Sequence, residues 1–141
     1  MLRTWFVAVA ALVLASCSTG QDVPAAEREA TKFRQMLATG QYAEIYRGSA
    51  EEMRQATPEP DLTGLLEAVN TNLGKFESAP APAWKEQEQG GKQFVSLEYD
   101  SKYERGTAKE KFVFRIDAGK ATLAGYEVDA DFNKGSQPPS S

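Results

Sequence analysis

The chain is 141 residues long, 41% hydrophobic, 26% charged and 10% aromatic, with a formal net charge of −4. That length accommodates one domain with a real core and is too short for two ordinary ones. A mildly acidic chain without a basic run carries no electrostatic footprint for nucleic acid, and that class of partner is set aside.

The N-terminus reads as an address. Arg3 supplies positive charge, and Trp5 to Leu14 (WFVAVAALVL) supplies an apolar run of ten residues. Such a run is too short to span a bilayer and has the length of a signal-peptide core. Leu14-Ala15-Ser16-Cys17 follows directly and resembles a bacterial lipobox. The resemblance implies cleavage between Ser16 and Cys17 and lipidation of the new N-terminal cysteine. The alternative is an ordinary signal peptide with an incidental cysteine.

Cys17 is the only cysteine, so no intramolecular disulfide can form even in an oxidising compartment. Acyl chains on it, each stabilised by ~0.8 kcal/mol per buried CH₂, would give a durable membrane anchor. By resemblance to proteobacterial lipoproteins, Ser18 in place of Asp favours the outer membrane, facing the periplasm. Loss of residues 1–16 removes one charge, Arg3, and takes the formal net charge from −4 to −5.

The rest divides into a lipidated N-terminus and tether at 17–23, a folded domain at 24–132 and a polar, proline-bearing tail at 133–141 that is expected to be disordered. In the tether, Ser18 to Asp22 reach at most ~20 Å when extended, which keeps the domain near its membrane. Asp22 is an N-cap candidate and Pro24 suits a first helical turn. Ala26, Ala30, Phe33, Met36 and Leu37 then recur at helical spacing, with Glu27, Arg28, Lys32 and Arg34 at other positions and Gly40 past the end. Gln41 to Tyr46 predicts a short helix presenting Tyr42, Ile45 and Tyr46. Ser49 and Glu52 have capping-box spacing before another short helix with Met53. After Thr57-Pro58-Glu59-Pro60, Asp61 is expected to cap a helix with Leu62, Leu65, Leu66, Val69 and Leu73 on one face, ending at Gly74.

The second half is predicted to be sheet. Lys75 to Glu77 can begin a strand, but Pro80 and Pro82 cannot lie inside a ladder because proline has no N–H to donate. Ala83 to Gln89, with Trp84, reads as an edge strand joined through Gly90-Gly91 to three longer runs, which are separated at Arg105-Gly106 and Ala118-Gly119. Glycine at these turns predicts antiparallel hairpins. Alternation puts Val95, Leu97, Tyr99 and Tyr103 on one face of the first long strand, and Phe112, Phe114 and Ile116 on one face of the second. Leu123 is out of phase with Tyr126 and Val128, so a bulge at Ala124-Gly125 is expected to restore register and bend the sheet. The fold class is therefore α+β: N-terminal helices on a bent antiparallel meander of about four strands, together making a cone.

A helix carrying GQYAEIY, further helices ending in LG, and a bent meander with KEKFVF and LAGYEV are similar to the cystatin-like, nuclear-transport-factor-2-like superfamily. The resemblance covers about residues 24–132 and is architectural. It implies a pocket between the concave sheet face and the helices, lined by Tyr42, Tyr46, Tyr99, Tyr103, Glu110, Phe112 and Tyr126. By alternation Glu110 shares the face of Phe112 and Phe114, where a carboxylate could serve as acid, base or ligand anchor. Against this stands a Glu at the rim, paired with a lysine or solvated at the strand end, which is the commoner role for such a carboxylate.

Catalytic means are sparse. There is no histidine, the commonest general base and metal ligand, and the one cysteine is assigned to lipid. Glu127, Asp129 and Asp131 alternate on one strand but lack a calcium-loop pattern, and Glu98, Asp100 and Glu104 read as a soluble outer surface. No phosphate-cradling motif, cofactor motif or metal site is found. Two functions remain. One is a membrane-anchored, non-catalytic interaction module with an envelope protein partner, of an accessory or an inhibitor and immunity kind. The other is a small-ligand-binding cone, with a weak Asp/Glu/Tyr enzyme as its extreme form.

The anchoring argument has a direct check. Cys17→Ala is expected to leave the domain folded and to abolish lipidation, so the variant should leave the membrane fraction; quantitative retention in that fraction would contradict the lipobox reading.

Overall fold

The computed structural model describes residues 20–130, so the assignments made for 1–16, Cys17, Asp131 and 133–141 lie outside the described residues. Four helices, α1 (Val23–Ala38), α2 (Tyr42–Arg47), α3 (Glu51–Ala56) and α4 (Glu59–Leu73), precede five strands: β1 (Phe76–Ser78), β2 (Ala83–Gln89), β3 (Lys92–Tyr103), β4 (Gly106–Asp117) and β5 (Lys120–Ala130). The strands form one antiparallel sheet, bent and not closed. The α+β class and its chain order are as the sequence predicts, and the strand that Lys75 to Glu77 could begin is β1, a fifth beside the four of the meander.

β3 is the spine of the sheet. β4 pairs along one edge of it, from Gln93↔Ile116 to Tyr103↔Gly106. β2 takes the first part of the other edge, from Ala83↔Glu98 to Gln89↔Lys92, and β1 takes its end at Tyr103 and Lys102. Between β1 and β2 the chain leaves the ladder over Ala79 to Pro82, where the two prolines would each have withheld a donor.

The bulge falls where phase breaks. Val113 faces Gly125 and Phe114 faces Leu123, so Ala124 is the inserted residue. It returns Leu123, Tyr126 and the β4 aromatics to one inner face. Gly90-Gly91 and Ala118-Gly119 both adopt positive φ at both central positions, which matches the right-handed twist of the flanking strands. The third turn differs from expectation. It is made by Glu104-Arg105, neither at positive φ, and Gly106 already belongs to β4. Arg105 ties this turn to the end of α4: its N–H donates to Leu73 O at 2.9 Å, and its guanidinium reaches the Asn72 and Thr71 carbonyls. A cation there satisfies orphan carbonyls at a helix C-terminus.

Helix starts were less legible. Asp22 occupies the α1 N-cap without a side-chain capping bond. α3 is capped at Ala50, and the Ser49 hydroxyl donates instead to Ile45 O at 2.7 Å, so the expected capping box does not form. The Ala50 N–H donates to Leu123 O at 2.7 Å and so fastens α3 to β5. α4 begins at Glu59, two residues before Asp61, because Pro60 fits the first helical turn, where no N–H is needed.

The core is the stripe Ala26, Ala30, Phe33 and Leu37 of α1, with Leu62, Leu66, Val69 and Leu73 of α4, set against Val95, Leu97, Phe112, Phe114 and Tyr126. Phe33 joins α1 to the sheet aromatics, with ring centroids 5.1 Å from Phe112 and 4.8 Å from Tyr126. Those separations are in the range where aromatic pairs add to area burial.

α3 is pinned from outside the core. Glu52 accepts from Lys92 Nζ at 2.9 Å and from Arg115 Nη1 at 3.1 Å, and Arg115 Nε also donates to Asp117 at 2.8 Å. The Lys92 bond first, then its own backbone amide and Arg115, hold the Glu52 carboxyl at about 2 against the opposing effect of burial. A carboxyl depressed in the folded state stabilises above its ordinary value of 4.5 and ceases to do so as pH falls toward 2. Glu52→Gln should therefore melt below the parent at neutral pH, with the gap closing as pH drops from 4.5 to 2. Thermal melts across that range check this; a gap unchanged at pH 2 would contradict it.

Candidate functional site

Of the seven residues expected to line a pocket, five come together in the interior. Tyr99, Tyr103, Glu110, Phe112 and Tyr126 do share the inner face and are all buried. Tyr42 and Tyr46 do not join them. Tyr42 OH accepts from Asn70 Nδ2 at 2.8 Å, and Tyr46 OH donates to Arg54 O at 3.3 Å, so both serve helix–helix contacts of α2.

Glu110 is neither at the rim nor paired with a lysine. Its side chain has 0% exposure, and its partner is Arg34 of α1. Alternation on β4 turns Glu110 inward between Ala108 and Phe112, and its cross-strand neighbours are Tyr99 and Val128. Arg34 Nη2 donates to Glu110 Oε1 at 3.3 Å and to Ser101 Oγ at 3.0 Å, while Tyr126 OH donates to Glu110 Oε2 at 2.6 Å. A carboxylate removed from water keeps its charge only with such partners, so the trio is required once Glu110 faces inward.

The guanidinium is also enclosed by rings. Arg34 Cζ lies 3.9 Å from the Phe76 centroid and 4.4 Å from that of Tyr99, and its side chain is 10% exposed. Cation–π attraction strengthens when the cation is desolvated in this way. Arg34 Nε and Tyr103 OH are buried without a hydrogen-bond partner. Burial, then the Glu110 charge, push the Tyr103 and Tyr126 phenols far above their ordinary value, and burial raises Tyr99 as well.

Arg34 is the residue that the sequence reading missed. Helical spacing places it on the Glu27 and Thr31 side, beside the apolar stripe and four residues after buried Ala30. The usable signal was a charge balance: an inward Glu110 requires a cation, and of the α1 cations only Arg34 borders the stripe.

Two of the surface clefts border this network. One, of about 420 Å³, runs between α1 and the Ala79–Pro82 break, with Glu27, Thr31, Arg34, Phe76 and Tyr99 in its walls. The other, of about 720 Å³, crosses the outer sheet face over Glu98, Asp100, Lys109, Lys111, Glu127 and Asp129. In register these side chains form two cross-strand rows, Glu98–Lys111–Glu127 and Asp100–Lys109–Asp129, with the lysines between acids. The outer cleft borders Glu110 without exposing its carboxylate. Glu104 belongs to the β3–β4 turn and not to this face. Among the described residues no cluster of three or more metal-ligating side chains occurs, and no helix is long and apolar enough to cross a membrane.

Helices folded over a bent, open sheet, with a largely buried Arg–Glu–Tyr network between them, define a small α+β domain. The chain belongs to the DUF3887 family, described as a protein of unknown function, whose model matches residues 30–126. A comparison with curated proteins found no match.

The network makes a separable prediction. Arg34→Met alone strands a buried carboxylate and should cost about 3–5 kcal/mol of stability. The double variant Arg34→Met/Glu110→Met should recover most of that loss, because replacing both charges removes the desolvation problem. Denaturant melts of the singles and the double check this, and additive losses would show that the pair does not act as a unit.

Proposed function

We propose that this protein is a membrane-anchored periplasmic lipoprotein whose domain is a non-catalytic protein-interaction module of the cystatin-like, nuclear-transport-factor-2-like kind. The observation that carries the reading is the enclosure of Glu110. A ligand chamber needs open volume beside its polar anchor, whereas the Glu110 carboxylate has 0% exposure and is consumed by Arg34 and Tyr126. General acid–base chemistry likewise needs a group within hydrogen-bond reach of substrate, which a fully enclosed carboxylate does not offer. Work is then left to the exterior, and a partner in the envelope suits an anchored domain. The order of helices, hairpins and β5 bulge supports the superfamily kinship, and the lipobox at Leu14 to Cys17 supports the anchor.

Crosslinking of the lipidated protein in its own membranes, followed by purification and mass spectrometry, tests this function. One stoichiometric envelope protein is expected. A preparation free of protein partners but carrying a bound small molecule in native mass spectrometry would overturn the module and favour the ligand-binding cone.

A further inference from the structure

Gly20 lies against the ring of Trp84: a Cβ built on it would stand 3.1 Å from two ring carbons, and its φ is +66°. Only glycine meets both conditions without strain. The described chain therefore starts in contact with β2, three residues after Cys17, a distance of at most about 11 Å of chain. The tether is shorter than the five-residue estimate suggests, because Gly20 is already on the domain.

Among the described residues, Trp84 is also the exposed large hydrophobic one, at 48%. It pairs with Leu97, whose side chain points inward, so its ring extends the inner face past the sheet edge. It ends an uncharged run, Ala79-Pro80-Ala81-Pro82-Ala83-Trp84, in which Pro80, Ala81 and Ala83 are exposed as well. An indole with one apolar body and one N–H suits the bilayer interface, where tryptophan is enriched. Lys85 follows directly and is exposed.

We propose that the Ala79–Trp84 run is a membrane-docking edge, with Trp84 seated in the interfacial layer beside the lipid anchor. This rests on the lipidation of Cys17 put forward above. The occupant is the lipid surface because the run lies where the anchor delivers the chain to the bilayer. Docking turns the domain so that the β2 edge meets lipid. Attraction to anionic lipid is not the driving force, since the formal net charge without residues 1–16 is −5.

Trp84 is the one tryptophan left once residues 1–16 are removed, so it reports without substitution. The lipidated protein is reconstituted into phosphatidylethanolamine–phosphatidylglycerol vesicles, with and without bromines near the glycerol end of the acyl chains. Trp84 emission should fall roughly twofold in the brominated vesicles and be shielded from acrylamide. Moving the fluorophore along the run, in Trp84→Phe/Ala81→Trp, should preserve the quenching. Acylated protein whose emission is indifferent to bromine and open to acrylamide overturns the docking edge and leaves the anchor standing. Mature protein without acyl chains by intact mass overturns both.

Discussion

A carboxylate taken fully out of water must be matched by a cation and hydrogen bonds or surrender its charge, and Glu110 meets that condition through Arg34, Tyr126 and the packing around them. The requirement links distant parts of the chain, since Arg34 sits on the first helix and Glu110 on the fourth strand. It sets the rotation of α1, because the guanidinium must reach the carboxylate while Phe33 enters the aromatic cluster one position earlier. It also brings in Phe76, so that β1 closes over the cation at the end of β3. A buried pair of this kind is weak evidence for net stability. What it does here is join α1 to β4, since Arg34 and Glu110 meet only with both elements in place.

The architecture was legible wherever a period or a turn carried it. Alternation placed Val95, Leu97, Phe112 and Phe114 on the inner face, and the phase error at Leu123 located the bulge at Ala124. Both hairpins with glycine at positive φ were also readable. Helix starts were not, because capping is decided by local competition. Ser49 found the Ile45 carbonyl before any helical N–H, and Pro60 let α4 begin before its expected aspartate. The β3–β4 turn moved by one residue because Arg105 binds the carbonyls of a helix that is distant in sequence.

The site was half legible. Alternation turned Glu110 inward, but the greater frequency of solvated carboxylates argued for the rim, and an isolated strand pattern cannot weigh that prior against a partner on another element. Tyr42 and Tyr46 were grouped with the sheet tyrosines by fold likeness, whereas their hydroxyls meet Asn70 and Arg54. Fold likeness suggested a shared mouth; packing of α2 against α3 and α4 places both tyrosines elsewhere.

Sealing the interior has a consequence for where selection by a partner can act. With Glu110 and the phenols of Tyr103 and Tyr126 enclosed, a partner meets surface groups, among them the charged outer sheet face and the β2 edge. The outer face alternates lysines with acids across β3, β4 and β5, which suits soluble exposure and register-specific recognition equally. The β2 edge is different in kind. Lys85, Glu86 and Glu88 carry charge along it, as edge strands do when they avoid pairing with other chains, yet the stretch before Lys85 has none. Pro80 and Pro82 withhold ladder donors just before β2 begins, so that part of the stretch is unsuited to strand addition and suited to a partner without strand geometry. A bilayer is such a partner, and the chain leaves the domain toward Cys17 at that place.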